Sequence, residues 1–249
     1  MISVQNVSKR FGPQVVLDNV SLEIAPGKTT AIVGPSGVGK SVLLKLIMGI
    51  MKPDHGEIFV CGKNMTAAHS EGEKNEIRKS LGVLFQSAAL FDSLSVYDNV
   101  AFPLVEKTKL SREAIHKKVV FMLESLSLES YAFNFIEEIS MGMRKRVGMA
   151  RSLIMQPEVL LFDEPNTGLD PLVGQEVYDL IKLCKEKWGF TGVVISHELP
   201  EVFQVSDRVA MLLGGKIIIE GAPADIVASK NPAVNQFLNG SVDGPIKIQ

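Results

Sequence analysis

The chain has 249 residues, 46% of them hydrophobic and 22% charged, ordinary proportions for a globular α/β protein able to bury a sizeable core. A formal charge of −2 gives no global basic field for nucleic acid or anionic lipid. Charges break every apolar stretch before the ~18 residues a membrane span needs. Cys61 and Cys184 show no metal spacing and read as reduced cytosolic thiols.

The start, Met1-Ile2-Ser3-Val4-Gln5, reads as a strand rather than a leader. Alternating segments Ile2–Val7 and Val16–Ile24 flank the turn Phe11-Gly12-Pro13 and predict an antiparallel pair. Pro26-Gly27 turns into the apolar run Thr30-Ala31-Ile32-Val33. Next comes Gly34-Pro35-Ser36-Gly37-Val38-Gly39-Lys40-Ser41, a full match to G-x-x-x-x-G-K-[ST], and Val42 opens an apolar helix. Strand, glycine loop and helix follow in the order a phosphate cradle requires. The glycines let backbone N–H groups face an anion, and the helix N-terminus adds its positive dipole end. Lys40 supplies a cation for the β- and γ-phosphates, and the Ser41 hydroxyl is a Mg²⁺ ligand candidate. This motif predicts binding of a nucleoside triphosphate.

Further along, Glu57–Val60 reads as a strand, Asn64–Lys79 as a polar stretch, and Leu81–Phe85 as a short buried strand ending at Gln86. Helical periodicity runs from Ser95 to Met155; Ser111 opens one helix, whose apolar positions include Ile115, Val119, Met122 and Leu126. Strand-like runs return at Val159–Phe162, Gly192–Ile195 and Val209–Leu213, with a helix over Val173–Lys187. Strand–helix alternation predicts a parallel sheet wrapped by helices, with a helical insertion. A helical pattern, Pro223–Leu238, precedes a polar tail. Val159-Leu160-Leu161-Phe162 ends in two carboxylates: Asp163 is placed to hold Mg²⁺, and Glu164 to orient the water attacking the γ-phosphate.

With these residues in order, the chain resembles the ATP-binding subunit of ATP-binding-cassette (ABC) transporters over about residues 1–240. The resemblance rests on Phe11, the phosphate loop, Gln86, Ile139-Ser140-Met141-Gly142-Met143, Leu161-Phe162-Asp163-Glu164-Pro165, Gly168-Leu169-Asp170 and His197. It implies an α/β P-loop NTPase (RecA-like) core, an N-terminal antiparallel β subdomain, a helical subdomain at about 95–155 and a tail over 241–249. It implies that Phe11 stacks on adenine, Gln86 reaches Mg²⁺ or the attacking water, and His197 hydrogen-bonds the γ-phosphate. The cofactors are then ATP and Mg²⁺. Ser140 and Gly142 would face the nucleotide of a second copy in a sandwich dimer, with a membrane permease as partner.

The signature departs from the family's Leu-Ser-Gly-Gly-Gln. Ser140 fits a helix N-cap, but Met141 replaces a glycine that allows close backbone approach to phosphate. Either Met141 points away and is tolerated, which is favoured by the presence of Lys40, Asp163, Glu164 and His197, or trans contacts weaken and hydrolysis slows. The run Arg144-Lys145-Arg146 reads as a solvated helix face, one cation of which could hold phosphate or a facing carboxylate across the dimer; nucleic acid is not expected. The stretch from Gly82 to Leu104, particularly Ala89-Leu90-Phe91-Asp92-Ser93 and Asn99-Val100-Ala101-Phe102-Pro103-Leu104, resembles Mla/Mce-type ATPase subunits, as does Asn235–Gly240. That resemblance implies phospholipid or hydrophobic cargo, an MCE-type lipid-carrier subunit and a place on the cytoplasmic face of a bacterial inner membrane. Polar-solute import is the alternative within the family. A non-transport cassette acting on ribosome or DNA is the alternative outside it.

Overall fold

The alternation at the N-terminus forms a hairpin. Strands β1 (Ile2–Phe11) and β2 (Gln14–Ile24) pair antiparallel, with Phe11 opposite Gln14 across the Gly12-Pro13 turn. In this computed structural model the described residues are 1–247; the end of the expected tail, 248–249, lies outside them. Strand β3 (Thr29–Val33) leads through the phosphate loop into α1 (Lys40–Ile47). Strands β4 (His55–Val60) and β5 (Lys63–Asn64) follow, then α2 (Glu71–Arg78). Strand β6 (Leu81–Leu84) precedes α3 (Val96–Lys107), α4 (Arg112–Ser125) and α5 (Met141–Leu153). The chain continues through β7 (Val159–Asp163), α6 (Pro171–Trp188), β8 (Thr191–Ser196), β9 (Arg208–Leu213) and β10 (Lys216–Gly221). Two short helices, α7 (Pro223–Val227) and α8 (Pro232–Asn239), close it.

These elements form two compact units, Met1–Ser80 with the chain from Phe190 onward, and Leu81–Gly189. In the first unit, β2-β1-β4-β5 make an antiparallel sheet whose inward residues Ile2, Val4, Leu22, Ile24, Ile58 and Val60 are buried. Beside it β3 lies parallel to both β8 and β9, and its residues Ala31, Ile32 and Val33 are fully buried, as expected for a strand covered on two faces. In the second unit β6 and β7 pair in parallel, Leu84 opposite Phe162. Helix α5 packs on β6 in that unit: a Cβ at Gly148 would come within 2.7 Å of Leu84 Cδ1.

Three local differences from the sequence reading have physical causes. The polar stretch before Lys79 contains α2, which buries only Ile77 and so lacks an apolar stripe. Its start is set by a capping box: Ser70 Oγ accepts from Glu73 N–H, and the Glu73 carboxylate accepts from Ser70 N–H. Strand β10 runs antiparallel to β9 after the Gly214-Gly215 turn, an edge that strand–helix alternation does not announce. The terminal helical pattern is divided in two, because Asn231 caps a new helix with Pro232 in its first turn.

Candidate functional site

Parallel register gathers the candidates of the first unit at one edge. Val33 lies opposite Ser196, so the phosphate loop and His197 both leave the carboxyl ends of neighbouring parallel strands. That edge is where open α/β sheets hold ligands. Gly34 has φ 147°, and a Cβ there would run into the Leu212 carbonyl oxygen. Gly39, at the N-cap of α1, has φ 107°, and a Cβ would sit 2.8 Å from Val16 Cγ1. Both positions therefore require glycine for conformation and for space. Pro35, Ser36, Gly37 and Val38 span the loop between them, Ser36 and Gly37 exposed. Lys40 is 3% exposed, and its ammonium donates to the carbonyls of Gly34 (2.8 Å) and Pro35 (2.9 Å). The cation is thus folded over its own loop, within reach of an anion seated on the loop's N–H groups. Ser41 and Val42, in the first turn of α1, are half-buried. Phe11 ends β1 at 43% exposure with Lys9 Nζ 5.7 Å from its ring centroid, leaving ring surface open for a flat partner.

The second unit repeats the arrangement. With Leu84 opposite Phe162, Gln86 and the Asp163-Glu164 pair leave the same edge of β6 and β7. A cavity of about 510 Å³ opens there, lined by Gln86, Asp163, Thr167, Met141, Arg144 and Lys145 among others. Glu164 has φ 48°, a left-handed conformation uncommon for a residue with a side chain and often found at functional sites. Thr167 holds it: the Thr167 hydroxyl donates to Glu164 Oε2 at 3.2 Å, and the Thr167 N–H to the Glu164 carbonyl at 3.3 Å. Buried Asn166 accepts from the Tyr178 hydroxyl at 3.1 Å, anchoring the turn that carries Thr167. Ser140 caps α5, its Oγ accepting from Met143 N–H at 3.3 Å, and Gly142 lies half-buried in the first turn. Met141 is 52% exposed yet lines the same cavity as Asp163 and Gln86.

Sequence reasoning missed the groups that hold the Gln86 loop. Lys145 is 1% exposed, not on a solvated face, and its ammonium donates to the Gln86 carbonyl. Burial pushes its pKa down to about 8. Arg151 donates to the Ala88 carbonyl at 2.6 Å and lies 5.7 Å from the Phe91 ring centroid; burial lowers its pKa too. Asn99, on α3 and fully buried, bonds Phe91 through both N–H and C=O.

The donor chemistry suits the expected cofactors. Hydroxyl, amide and carboxylate oxygens at Ser41, Gln86 and Asp163 are hard ligands of the kind Mg²⁺ takes alongside substrate phosphates.

Residues 17–167 match the protein family described as "ABC transporter". The chain belongs to the ABC transporter family. This ABC ATPase is 40% identical, over its whole length and 94% of the relative's, to the intermembrane phospholipid transport system ATP-binding protein MlaF of Haemophilus influenzae. It is similar to the solved structure of cbiO1 from Clostridium perfringens, part of the ABC transporter complex cbiONQ. That match has 32% identity and a TM-score of 0.84, covering 92% of this chain and 91% of the other. A dimeric post-hydrolysis structure of the ATP-binding cassette MJ0796, bound to ADP and Pi, matches with 31% identity and a TM-score of 0.79, over 90% of this chain and 99% of that one. The expected P-loop NTPase fold is therefore the fold of this ABC ATPase.

Proposed function

We propose that this ABC ATPase uses ATP hydrolysis to drive phospholipid, or a similar hydrophobic molecule, through a membrane permease. The observation that carries the reading is the 40% identity to an intermembrane phospholipid transport ATPase across all 249 residues. Two copies act together, a reading supported by the dimeric form of the MJ0796 cassette. None of the helices among the described residues is long and apolar enough to cross a membrane. The place proposed for the dimer is thus peripheral, on the cytoplasmic face of a bacterial inner membrane, with an MCE-type carrier as a further subunit.

In this reading the phosphate loop from Gly34 to Ser41, with Val42 next to it in α1, seats the β- and γ-phosphates, and Lys40 swings from its own carbonyls onto them. Phe11 supports the adenine ring. Ser41, Asp163 and Gln86 would hold Mg²⁺, which when bound offsets charge on the phosphate oxygens. Glu164 orients water for in-line attack on the γ-phosphate, and His197 hydrogen-bonds that phosphate. Ser140 and Gly142 face the nucleotide of the other copy.

Gentle affinity purification from membranes, with mass spectrometry of proteins and lipids, tests the assignment. A permease co-purifying with a lipid-carrier protein and phospholipid is the expected result. A permease with a polar-solute binding protein would replace phospholipid by a polar cargo, and recovery with ribosomes or DNA would remove transport altogether.

A further inference from the structure

A buried lysine is a costly residue, since its ammonium gives up water and needs compensating bonds. Lys145 sits in the second turn of α5, the helix capped by Ser140, and is 1% exposed. Its ammonium donates to the backbone carbonyl of Gln86, a charge-assisted bond from the side chain of one helix to the loop of the neighbouring strand. The loop needs holding. Ala88 and Ala89 are consecutive left-handed residues, φ 58° and 48°, a conformation alanine resists. Ala88 is pressed against α5, where a Cβ at Gly148 would lie 3.0 Å from its own. Arg151 on the same helix takes the Ala88 carbonyl at 2.6 Å. One rigid helix therefore grips the loop at residues 86 and 88, and Lys145 is the grip nearest the Gln86 side chain.

We propose that Lys145 is a positioning residue for ATP hydrolysis: it fixes the Gln86 loop against α5 so that the Gln86 side chain is aimed at the reacting end of the nucleotide. The proposal rests on the role given to Gln86 above. A methionine at 145 would fill the same channel without the bond, so packing alone does not call for a cation here.

The test uses the full-length protein with Lys145→Met and Lys145→Arg, measuring steady-state ATP hydrolysis, melting temperature and amide hydrogen exchange over residues 86–89. Lys145→Met is expected to lower kcat about tenfold, leave the KM for ATP within about twofold, and speed exchange in the loop about tenfold. Lys145→Arg restores a cationic donor and is expected to recover both quantities to within about threefold. Parental kcat and loop exchange in a folded Lys145→Met protein, or equal damage from Met and Arg, would overturn the proposal. If the methionine variant does not fold, Lys145→Leu, which also lacks a donor, is measured in the same way with the same expected loss. Gln86→Ala examines the underlying reading separately. Unchanged turnover there removes the role of Gln86, whereas the attachment of the loop by Lys145 is decided by the exchange data.

Discussion

Asn99→Ala removes the side chain that ties the segment after Gln86 to α3, and its cost follows from the bonds it makes. Asn99 Oδ1 accepts from Phe91 N–H at 2.9 Å, and Nδ2 donates to the carbonyls of Phe91, Leu94 and Ser95 at 3.0, 3.2 and 3.0 Å. Two of these carbonyls keep a second donor in the variant. Leu94 N–H reaches the Phe91 carbonyl at 3.1 Å, and Asn99 N–H reaches the Ser95 carbonyl at 2.9 Å. Phe91 N–H and the Leu94 carbonyl lose the bonds described here. Orphaned groups cost about 1–3 kcal/mol each when fully buried. Phe91 is 42% exposed, so water repairs part of the loss, and a total of about 2–4 kcal/mol follows. For a chain of this size that lowers the melting temperature by about 5–12 °C. Thermal unfolding of the full chain measures it, with amide exchange at Phe91 as a local reporter. A melting temperature within about 1 °C of the parent, with Phe91 still protected, would refute the idea that Asn99 organises this segment.

Three further outcomes are expected. Glu164→Gln retains ATP while hydrolysis falls at least ~10²-fold, checked by nucleotide binding beside phosphate release; hydrolysis at the parental rate would remove the water-orienting role. Met141→Gly changes the ATPase rate only modestly, and a gain on the order of a hundredfold would show that the thioether obstructs the phosphate approach. Cys184 is fully buried, which pushes its thiol up to about 12, whereas Cys61 is part-exposed; one thiol should therefore react with an alkylating agent in the native protein and the second only after unfolding. The raised value also has a sign for stability. The unfolded thiol ionises near 9 and the folded one near 12, so the advantage of the neutral buried thiol is complete below 9 and declines between those values.

What was legible in the sequence was local. The phosphate loop is eight contiguous residues, and the run Val159–Phe162 followed by Asp163 and Glu164 is a strand end. In each the chain itself fixes the spacing of the chemistry. The separate placing of Gln86 beside Asp163, and of His197 beside the loop, needed strand register, which the resemblance supplied and the periodicity did not. The Thr167 hydroxyl on Glu164 was out of reach because the turn that aims it depends on a left-handed residue, and glutamate gives no sign of that conformation. Asn99 was visible only as part of a family-like string. Its bonds reach back four to eight residues into a loop that had no predicted shape.

The basic run Arg144-Lys145-Arg146 shows how a composition argument loses the direction of a side chain. Successive helical residues are about 100° apart, so three adjacent cations spread over more than half the circumference and do not form one face. Lys145 is in phase with Gly148, Met149 and Ser152, at spacings of three, four and seven, and all three are buried. Lys145 continues that buried stripe back by one turn. Its neighbours diverge from it: Arg144 Nε turns to the Ile139 carbonyl at 3.3 Å, and Arg146 stays part-exposed. A phosphate backbone needs cations presented together on one surface. With its middle charge committed to the Gln86 carbonyl, this run offers instead an internal tether flanked by two surface arginines, and the charge count alone could not have separated the two.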